Sequence, residues 1–267
     1  MIRKPVAAGS FYRSDALQLR NDIEGLVSKD CERRAALGVV APHAGYVYSG
    51  RVAGCLYSKI VIPDTVVILS PNHTGMGSAY SIWPGGSWIT PLGEVKVNED
   101  VVYGLVQDCG LIEKDQDAHL DEHAAEVQLP FLQYFNPRVR IVVMVLSCRN
   151  IADIRAIGKS LSSVLQKSCP DALVVASSDM THYESQVSVK RKDTIAIDEI
   201  LALNEDNLYK KVTGMSITMC GIYPVIAMMV CSRERGAEKA ELLRYGTSGD
   251  VSGDYEHVVG YAGIMIS

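Results

Sequence analysis

The sequence lacks the features that mark several large protein classes. No apolar run approaches about 18 residues, which argues against a membrane-spanning helix. Acidic residues outnumber basic ones by 31 to 26, so no basic surface for nucleic acid is expected. The first residues lack the hydrophobic stretch of a signal peptide, and we therefore expect a cytoplasmic protein.

The cysteines of this chain do not have the spacing of a disulfide framework or a zinc site. The seven cysteines are odd in number and include no C-x-x-C pair, which argues against a disulfide framework or a structural zinc site. Most of them are predicted to be small buried apolar residues. The glycine-rich segment 248–254 lacks the G-K-[ST] ending of a phosphate-binding loop, and we interpret it as a turn.

Apolar runs typical of buried strands alternate with segments of helical spacing along the chain. This alternation predicts an α/β fold in one domain, residues 1–267, with a central, largely parallel or mixed sheet flanked by helices. Residues 78–97, rich in Trp, Gly and Pro, are predicted to form a loop or hairpin. Residues 119–134 are predicted to be helical until Pro130 breaks or kinks the helix.

Three polar segments each follow a predicted strand, and each contains a histidine. His43 follows strand 37–40, His73 follows strand 65–69, and His182 follows strand 172–176. Ligands of open α/β sheets bind at the carboxyl ends of the strands. Neutral imidazole is a common ligand of Zn, Cu, Fe and Ni, so we predict that the three histidines converge on a metal. The alternative is that each ring only hydrogen-bonds its own loop.

Asp179 lies three residues before His182. If a helix begins at Ser178, both side chains share one face, and Asp179 fixes the tautomer of His182 as an acid/base group. The alternative is that Asp179 caps that helix. Cys220 is a candidate thiolate ligand beside two imidazoles, although a buried inert thiol explains it equally well.

A second constellation comprises His119, Glu122, His123 and Glu126, which can share one helical face. Its spacing differs from the H-E-x-x-H pattern, so no metalloprotease is predicted; a polar helix start is the alternative. The candidate pocket residues are His123, Glu126, Tyr46 and Asn72.

Nine segments in fixed order resemble the Memo family, also called AmmeMemoRadiSam system protein B, over essentially the whole chain. They are RKPVAAGSFY (3–12), PHAGYVYSG (42–50), PNHTG (71–75), TPLGE (90–94), EHAAEVQLPFL (122–132), SSDMTHY (177–183), CG (220–221), SGD (248–250) and VVGY (258–261). The family is similar in fold to LigB-type class III extradiol dioxygenases, which hold Fe(II) with two histidines and a carboxylate. This resemblance implies that His43 and His73 are metal ligands and that His182 is the acid/base. Cys220 stands where the dioxygenases have their carboxylate.

The resemblance implies Fe(II) or Cu as the cofactor, with zinc less favoured, and possible oxygen or redox chemistry. The thiol at the carboxylate position means that ring cleavage is not carried over. Whether the protein is an enzyme stays open. The alternative is a non-catalytic pocket that binds a small anion, a peptide or a partner protein, and a zinc hydrolase is a weaker third reading. The family also implies a pathway link to radical SAM and AMMECR-type proteins. The charge balance and the short apolar runs predict neither nucleic acid nor a membrane as a partner.

Overall fold

The computed structural model describes residues 1–147 and 150–267; Cys148 therefore lies outside the described residues. Its twelve described strands belong to one mixed sheet. In chain order, β1 to β12 are Ile2–Arg3, Gly38–Ala41, Thr65–Ser70, Tyr80–Ile82, Ser87–Thr90, Gly93–Val97, Glu113–Lys114, Arg140–Leu146, Leu173–Ser177, His182–Glu184, Ala240–Thr247 and Val258–Ile266.

Ten α-helices are described, together with a 3-10 turn at Glu126–Gln128. In chain order, α1 to α10 are Ala16–Leu26, Tyr46–Ser58, Glu99–Asp108, Asp117–Leu120, Leu129–Phe135, Ile151–Ser168, Gln186–Leu201, Glu205–Gly214, Ile222–Glu234 and Gly249–Ser252. None of the helices in the described ranges is both long enough and apolar enough to cross a membrane.

The centre of the sheet is parallel and fully buried. Strands β8, β3, β9 and β2 lie side by side in that order, and each pairs parallel to its neighbour. Every residue of β3, β9 and β2 is buried, as expected for parallel strands that are covered on both faces. Antiparallel β12 continues the sheet beyond β2. The predicted α/β class with a largely parallel or mixed sheet is confirmed.

Helices cover both faces of this sheet, as the contacts of two strand glycines show. A Cβ at Gly38 in β2 would meet Met228 of α9 at 2.3 Å, and one at Gly263 in β12 would meet Leu56 of α2 at 3.2 Å. Gly38 is paired with Ile266, three residues from Gly263, so the two glycines face opposite sides. Helices α9 and α2 therefore lie on opposite faces.

Two local predictions had different outcomes. The hairpin predicted within residues 78–97 is confirmed, since β5 and β6 pair antiparallel, and β4 adds a third strand of the sheet to this segment. The helix predicted over residues 119–134 was wrong, because α4 ends at Leu120 and Pro130 lies in the first turn of α5, where a backbone N–H has no acceptor within the helix. Of the six described cysteines, all free, only Cys109 and Cys231 are buried.

Candidate metal centre

Three adjacent parallel strands deliver the predicted polar segments to one edge of the sheet. His43 follows β2, His73 follows β3, and Asp179 follows β9, which lies between the other two. Parallel strands point their carboxyl ends the same way, so the three loops meet there. The strand-end argument thus places these segments together.

His43, His73 and His123 form the centre of this edge. One ring nitrogen from each lies within 4.8 Å of those of the other two. The ring centroids are 5.2 Å apart for His43 and His73, 5.5 Å for His43 and His123, and 4.7 Å for His73 and His123. The third imidazole of the cluster is therefore His123, which was predicted only as a pocket residue, and not His182.

The partners of His43 fix its tautomer. Ser177 donates its hydroxyl proton to Ala124 O at 2.8 Å and accepts a hydrogen bond from Gln128 Nε2, also at 2.8 Å. Its oxygen lies 2.9 Å from His43 Nδ1, and because its single proton is already used, it must accept from that nitrogen. His43 Nε2 is therefore left with a lone pair.

Glu122 fixes His73 in the same way. Its carboxylate accepts from His73 N at 2.6 Å and from His73 Nδ1 at 2.9 Å, which leaves the Nε2 lone pair available. Burial raises the pKa of Glu122, but the hydrogen bond and charge of His73 outweigh it and lower the pKa. Burial lowers the pKa of His73, and its bond to Glu122 reverses this and raises the pKa. His123 Nδ1 lies 3.6 Å from the same carboxylate.

Burial lowers the pKa of the two other rings of the cluster. Burial, followed by repulsion from His73 and His123, lowers the pKa of His43 well below its usual value. Burial also lowers the pKa of His123 despite the charge of Glu122. Neutral imidazole is the form that binds a metal, so protonation competes with a metal less at His43 and His123 than at His73, whose pKa is raised.

Cys220 lies against the cluster without joining it. Its Sγ is 3.3 Å from His43 Nε2 and accepts from Asp179 N at 3.2 Å, but it is not among the donors that lie within 4.8 Å of one another. A Cβ at Gly221 would meet Ser178 Cβ at 2.4 Å, so only glycine lets this segment approach so closely. Burial and the charge of Asp179 raise the pKa of the Cys220 thiol.

Asp179 holds the loop of His43 rather than the ring of His182. Its Oδ1 accepts from His43 N at 2.9 Å and from Ala44 N at 3.4 Å, and its Oδ2 lies 4.0 Å from His43 Nε2. No helix begins at Ser178; the chain enters β10 at His182 instead. Neither the predicted tautomer role nor the capping alternative describes its contacts.

Thr218 takes the role that was predicted for Asp179. The backbone N–H of His182 donates to Thr218 Oγ1 at 2.8 Å, and its Nδ1 lies 2.9 Å from Thr218 O. A carbonyl oxygen can only accept, so Nδ1 carries the proton and Nε2 keeps a lone pair. No sequence pattern indicated Thr218, because the contact joins segments 36 residues apart.

The remaining predicted pocket residues hold the surrounding segments in place. Glu126 accepts from the backbone N–H groups of Val6 and Ala7, each at 2.9 Å, and pairs with Arg3 at 2.5 Å. Tyr46 donates to Val127 O at 2.8 Å. Asn72 closes its own loop through Gly75 N and Met76 O.

His119 and His123 do not share a helical face, contrary to the prediction. Helix α4 ends at Leu120, so the two rings separate. His119 is fully buried, and its Nε2 lies 2.7 Å from Ser81 Oγ. Burial, followed by the positive charge of Arg3, lowers the pKa of His119 to about 3.

His119 should make the fold sensitive to acid. Between an unfolded pKa of about 6.5 and the folded value of about 3, the unfolded chain binds more protons at this site. Stability is therefore lost as pH falls through this window, by up to about 1.4 kcal/mol per pH unit. In urea denaturation with a chelator, the wild type should lose its stability advantage over His119→Gln between pH 7 and pH 5. An advantage that does not change with pH would contradict this, and the exposed His257→Gln variant is the control.

These features define an α/β protein whose strand ends carry a cluster of three imidazoles suited to a metal. The family model of Memo-like proteins matches residues 3–265. A MEMO1 family protein of Methanothermobacter thermautotrophicus is 42% identical over 274 residues, covering 98% of this chain and 99% of the relative. One of Methanopyrus kandleri is 41% identical over 279 residues, covering 99% of both. The chain belongs to the Memo family.

A solved structure has a similar fold. It is an uncharacterized protein of Escherichia coli K12, with a TM-score of 0.54 and 11% sequence identity, and the match covers 87% of this chain and 100% of that one. At this identity the likeness concerns the fold alone.

Proposed function

We propose that this Memo-family protein binds one iron or copper ion through Nε2 of His43, His73 and His123, and uses it for redox chemistry on a small molecule. The observation that carries the proposal is the convergence of the three rings with two of their Nδ1 atoms already bonded. A serine hydroxyl and a buried carboxylate occupy those atoms on His43 and His73. Metal-binding histidines typically donate their second N–H to such groups.

The three imidazole donors fit a transition metal rather than a metal that prefers oxygen ligands. Three imidazoles suit iron, copper, zinc and nickel, whereas magnesium and calcium prefer oxygen ligands. Iron or copper would supply one-electron chemistry at this edge of the sheet. Three protein ligands leave coordination positions open for a substrate or oxygen, as catalytic sites require.

The nearby side chains have distinct roles in this proposal. His182 is the general base, since Thr218 O holds its Nδ1–H and leaves Nε2 able to accept a proton. In the protein without metal, the neutral Cys220 thiol donates to His43 Nε2. A metal at His43 would take that lone pair, so the thiol must turn away or lose its proton. Cys220 is then the nearest further donor.

Metal analysis of anaerobically purified and reconstituted protein tests the proposal, together with oxygen uptake in the presence of ascorbate. We expect one iron or copper per chain in the wild type and in His182→Gln. Oxygen uptake should fall roughly 100-fold in His182→Gln, because general-base catalysis contributes about 10²–10⁴-fold. The exposed His257→Gln variant should match the wild type in both measurements.

The absence of bound metal after reconstitution would contradict the redox function. It would leave the alternative of a pocket that binds a small anion or peptide without turnover. Stoichiometric zinc with no oxygen uptake would contradict it as well, because zinc has no redox chemistry.

A further inference from the structure

The side chain of Gln128 is hydrogen-bonded to two strand ends beside the histidine cluster. It is fully buried at the end of the 3-10 turn. Its Nε2 donates to Pro42 O, just after β2, at 3.0 Å and to Ser177 Oγ, at the end of β9, at 2.8 Å. Its Oε1 accepts from the hydroxyl of Tyr57 in α2 at 2.8 Å. Both amide protons and the amide oxygen are therefore engaged.

The orientation of this amide follows from its contact with Pro42. A backbone carbonyl can only accept, so the group of Gln128 that faces Pro42 O must be the NH₂ and not the oxygen. The second proton of that NH₂ points to Ser177 Oγ, and the amide oxygen faces the hydroxyl of Tyr57. Burial raises the pKa of Tyr57, so its hydroxyl keeps the proton that it donates.

A second backbone carbonyl fixes the hydroxyl of Ser177. Ala124 O accepts the single proton of that hydroxyl at 2.8 Å, and both residues are buried. Gln128 donates to one lone pair of the Ser177 oxygen. The remaining lone pair is left for His43 Nδ1, 2.9 Å away, which must therefore carry the proton of the ring.

Gln128 also holds the backbone just before His43. It binds the carbonyl of Pro42, the preceding residue, and it keeps the hydroxyl of Ser177 between His43 and Ala124. Loss of the amide would leave the Ser177 oxygen with one partner fewer and its hydroxyl free to turn from Ala124 O to His43 Nδ1. The proton of the imidazole would then move to Nε2.

That second proton position would obstruct a metal. A proton on His43 Nε2 would face Cys220 Sγ, 3.3 Å away, and would occupy the lone pair that a metal needs. Burial lowers the pKa of His43 well below its usual value, which favours a ring with a single proton. The nitrogen that carries this proton decides whether the ring is ready to bind a metal.

We propose that Gln128 is a positioning residue that keeps the proton of His43 on Nδ1 and so prepares Nε2 for a metal. It acts through Ser177 and Pro42 and not as a ligand, because all its polar atoms are engaged. The consequence for a metal rests on the proposed function, whereas the proton position is a property of the metal-free protein. The two can therefore fail separately.

Nitrogen NMR of the metal-free full-length protein tests the proposal. With isotopically labelled histidine and a chelator at neutral pH, protonated and bare ring nitrogens give separate signals, and the signals lost in His43→Gln are assigned to His43. We expect the wild type to carry the proton on Nδ1. In Gln128→Met, which keeps the length of the side chain without its amide, a second form with the proton on Nε2 should appear.

A second variant of the same residue keeps its shape. In Gln128→Glu, a carboxyl group carries at most one proton and cannot donate to both Pro42 O and Ser177 Oγ. It should also show the form with the proton on Nε2, and it decides the test if Gln128→Met does not fold. Competition with a chelator should show that metal affinity falls about 10–100-fold in both variants, the usual effect of losing a group that orients a ligand.

Gln133→Met is the matched control. Gln133 is also buried, accepts from the hydroxyl of Thr90 and donates to Gly93 O, but it lies in α5 and has no hydrogen bond to the segments of the cluster. Its variant should give the wild-type signals of His43, although it loses similar hydrogen bonds. A change of the His43 signals that requires the amide of Gln128 is thus separated from a general loosening of the core.

Three results would overturn the proposal. They are a wild-type ring with its proton on Nε2, the absence of the second form from every folded Gln128 variant, and a shift in Gln133→Met as large as that in Gln128→Met. If the proton moves as expected but the wild type binds no metal, the proposed function fails and the role of Gln128 in placing the proton stands.

Discussion

His123→Ala is expected to abolish stoichiometric metal binding, whereas Cys220→Ser leaves it nearly intact. His123 belongs to the group of donors that lie within 4.8 Å of one another, and Cys220 Sγ lies outside that group. Loss of a group that merely supports a ligand costs about 10–100-fold in metal affinity, so loss of a ligand should cost more than about 100-fold. Cys220→Ser should change affinity by less than about tenfold.

Competition titrations with a chromophoric chelator under anaerobic conditions give both affinities. His119→Gln is the matched control, because it removes a histidine four residues away that faces Ser81 and not the cluster. Circular dichroism should show that His123→Ala is folded, since the lost contact with Phe11 is a local one. The reverse outcome, with metal lost in Cys220→Ser and retained in His123→Ala, would establish the His/His/Cys ligand set that the family resemblance implies.

Glu126→Ala is expected to destabilise the fold by about 3–5 kcal/mol. The change leaves the guanidinium of Arg3 buried, with 1% of its side chain exposed, and without its counter-charge. It also removes the acceptor for the backbone N–H groups of Val6 and Ala7 and for the hydroxyl of Tyr12, 2.6 Å away. Removing one partner of a buried ion pair lowers the free energy of unfolding by more than the intact pair contributes, because an uncompensated charge remains buried.

Urea denaturation of metal-free protein at neutral pH measures this effect. Glu126→Gln keeps the side-chain shape and an oxygen acceptor, so it should fall between the wild type and Glu126→Ala. Glu24→Ala removes an exposed ion pair with Lys29 and should leave the unfolding midpoint unchanged. If Glu126→Ala unfolds at the same urea concentration as the wild type, the pair does not anchor the N-terminal segment.

The sequence predicted the strand ends well because buried parallel strands leave a strong local signal. Apolar runs followed by polar loops located β2, β3 and β9, and the rule for open α/β sheets then placed His43 and His73 together. Each step depended only on residues close in sequence and on one general property of parallel sheets.

His123 escaped recognition as a cluster member because its position depends on where a helix ends. Spacing of four residues suggested a shared face with His119, but α4 ends at Leu120 and turns His123 toward the sheet. The contact between Thr218 and His182 was likewise hidden, because only the fold brings the two segments together. Hydrogen bonds between residues far apart in the chain leave no periodic pattern in the sequence from which they could be predicted.

The bond between Arg3 and Glu126 has a consequence for the order in which the molecule assembles. It joins residues separated by 123 positions, and Glu126 lies three residues after His123. Contacts so distant along the chain form late, because the entropy of closing the loop must be overcome first. The segment that carries His123 is therefore anchored only once the N-terminus has docked. A metal bound as proposed would therefore meet the complete set of imidazoles only after the N-terminal segment has docked.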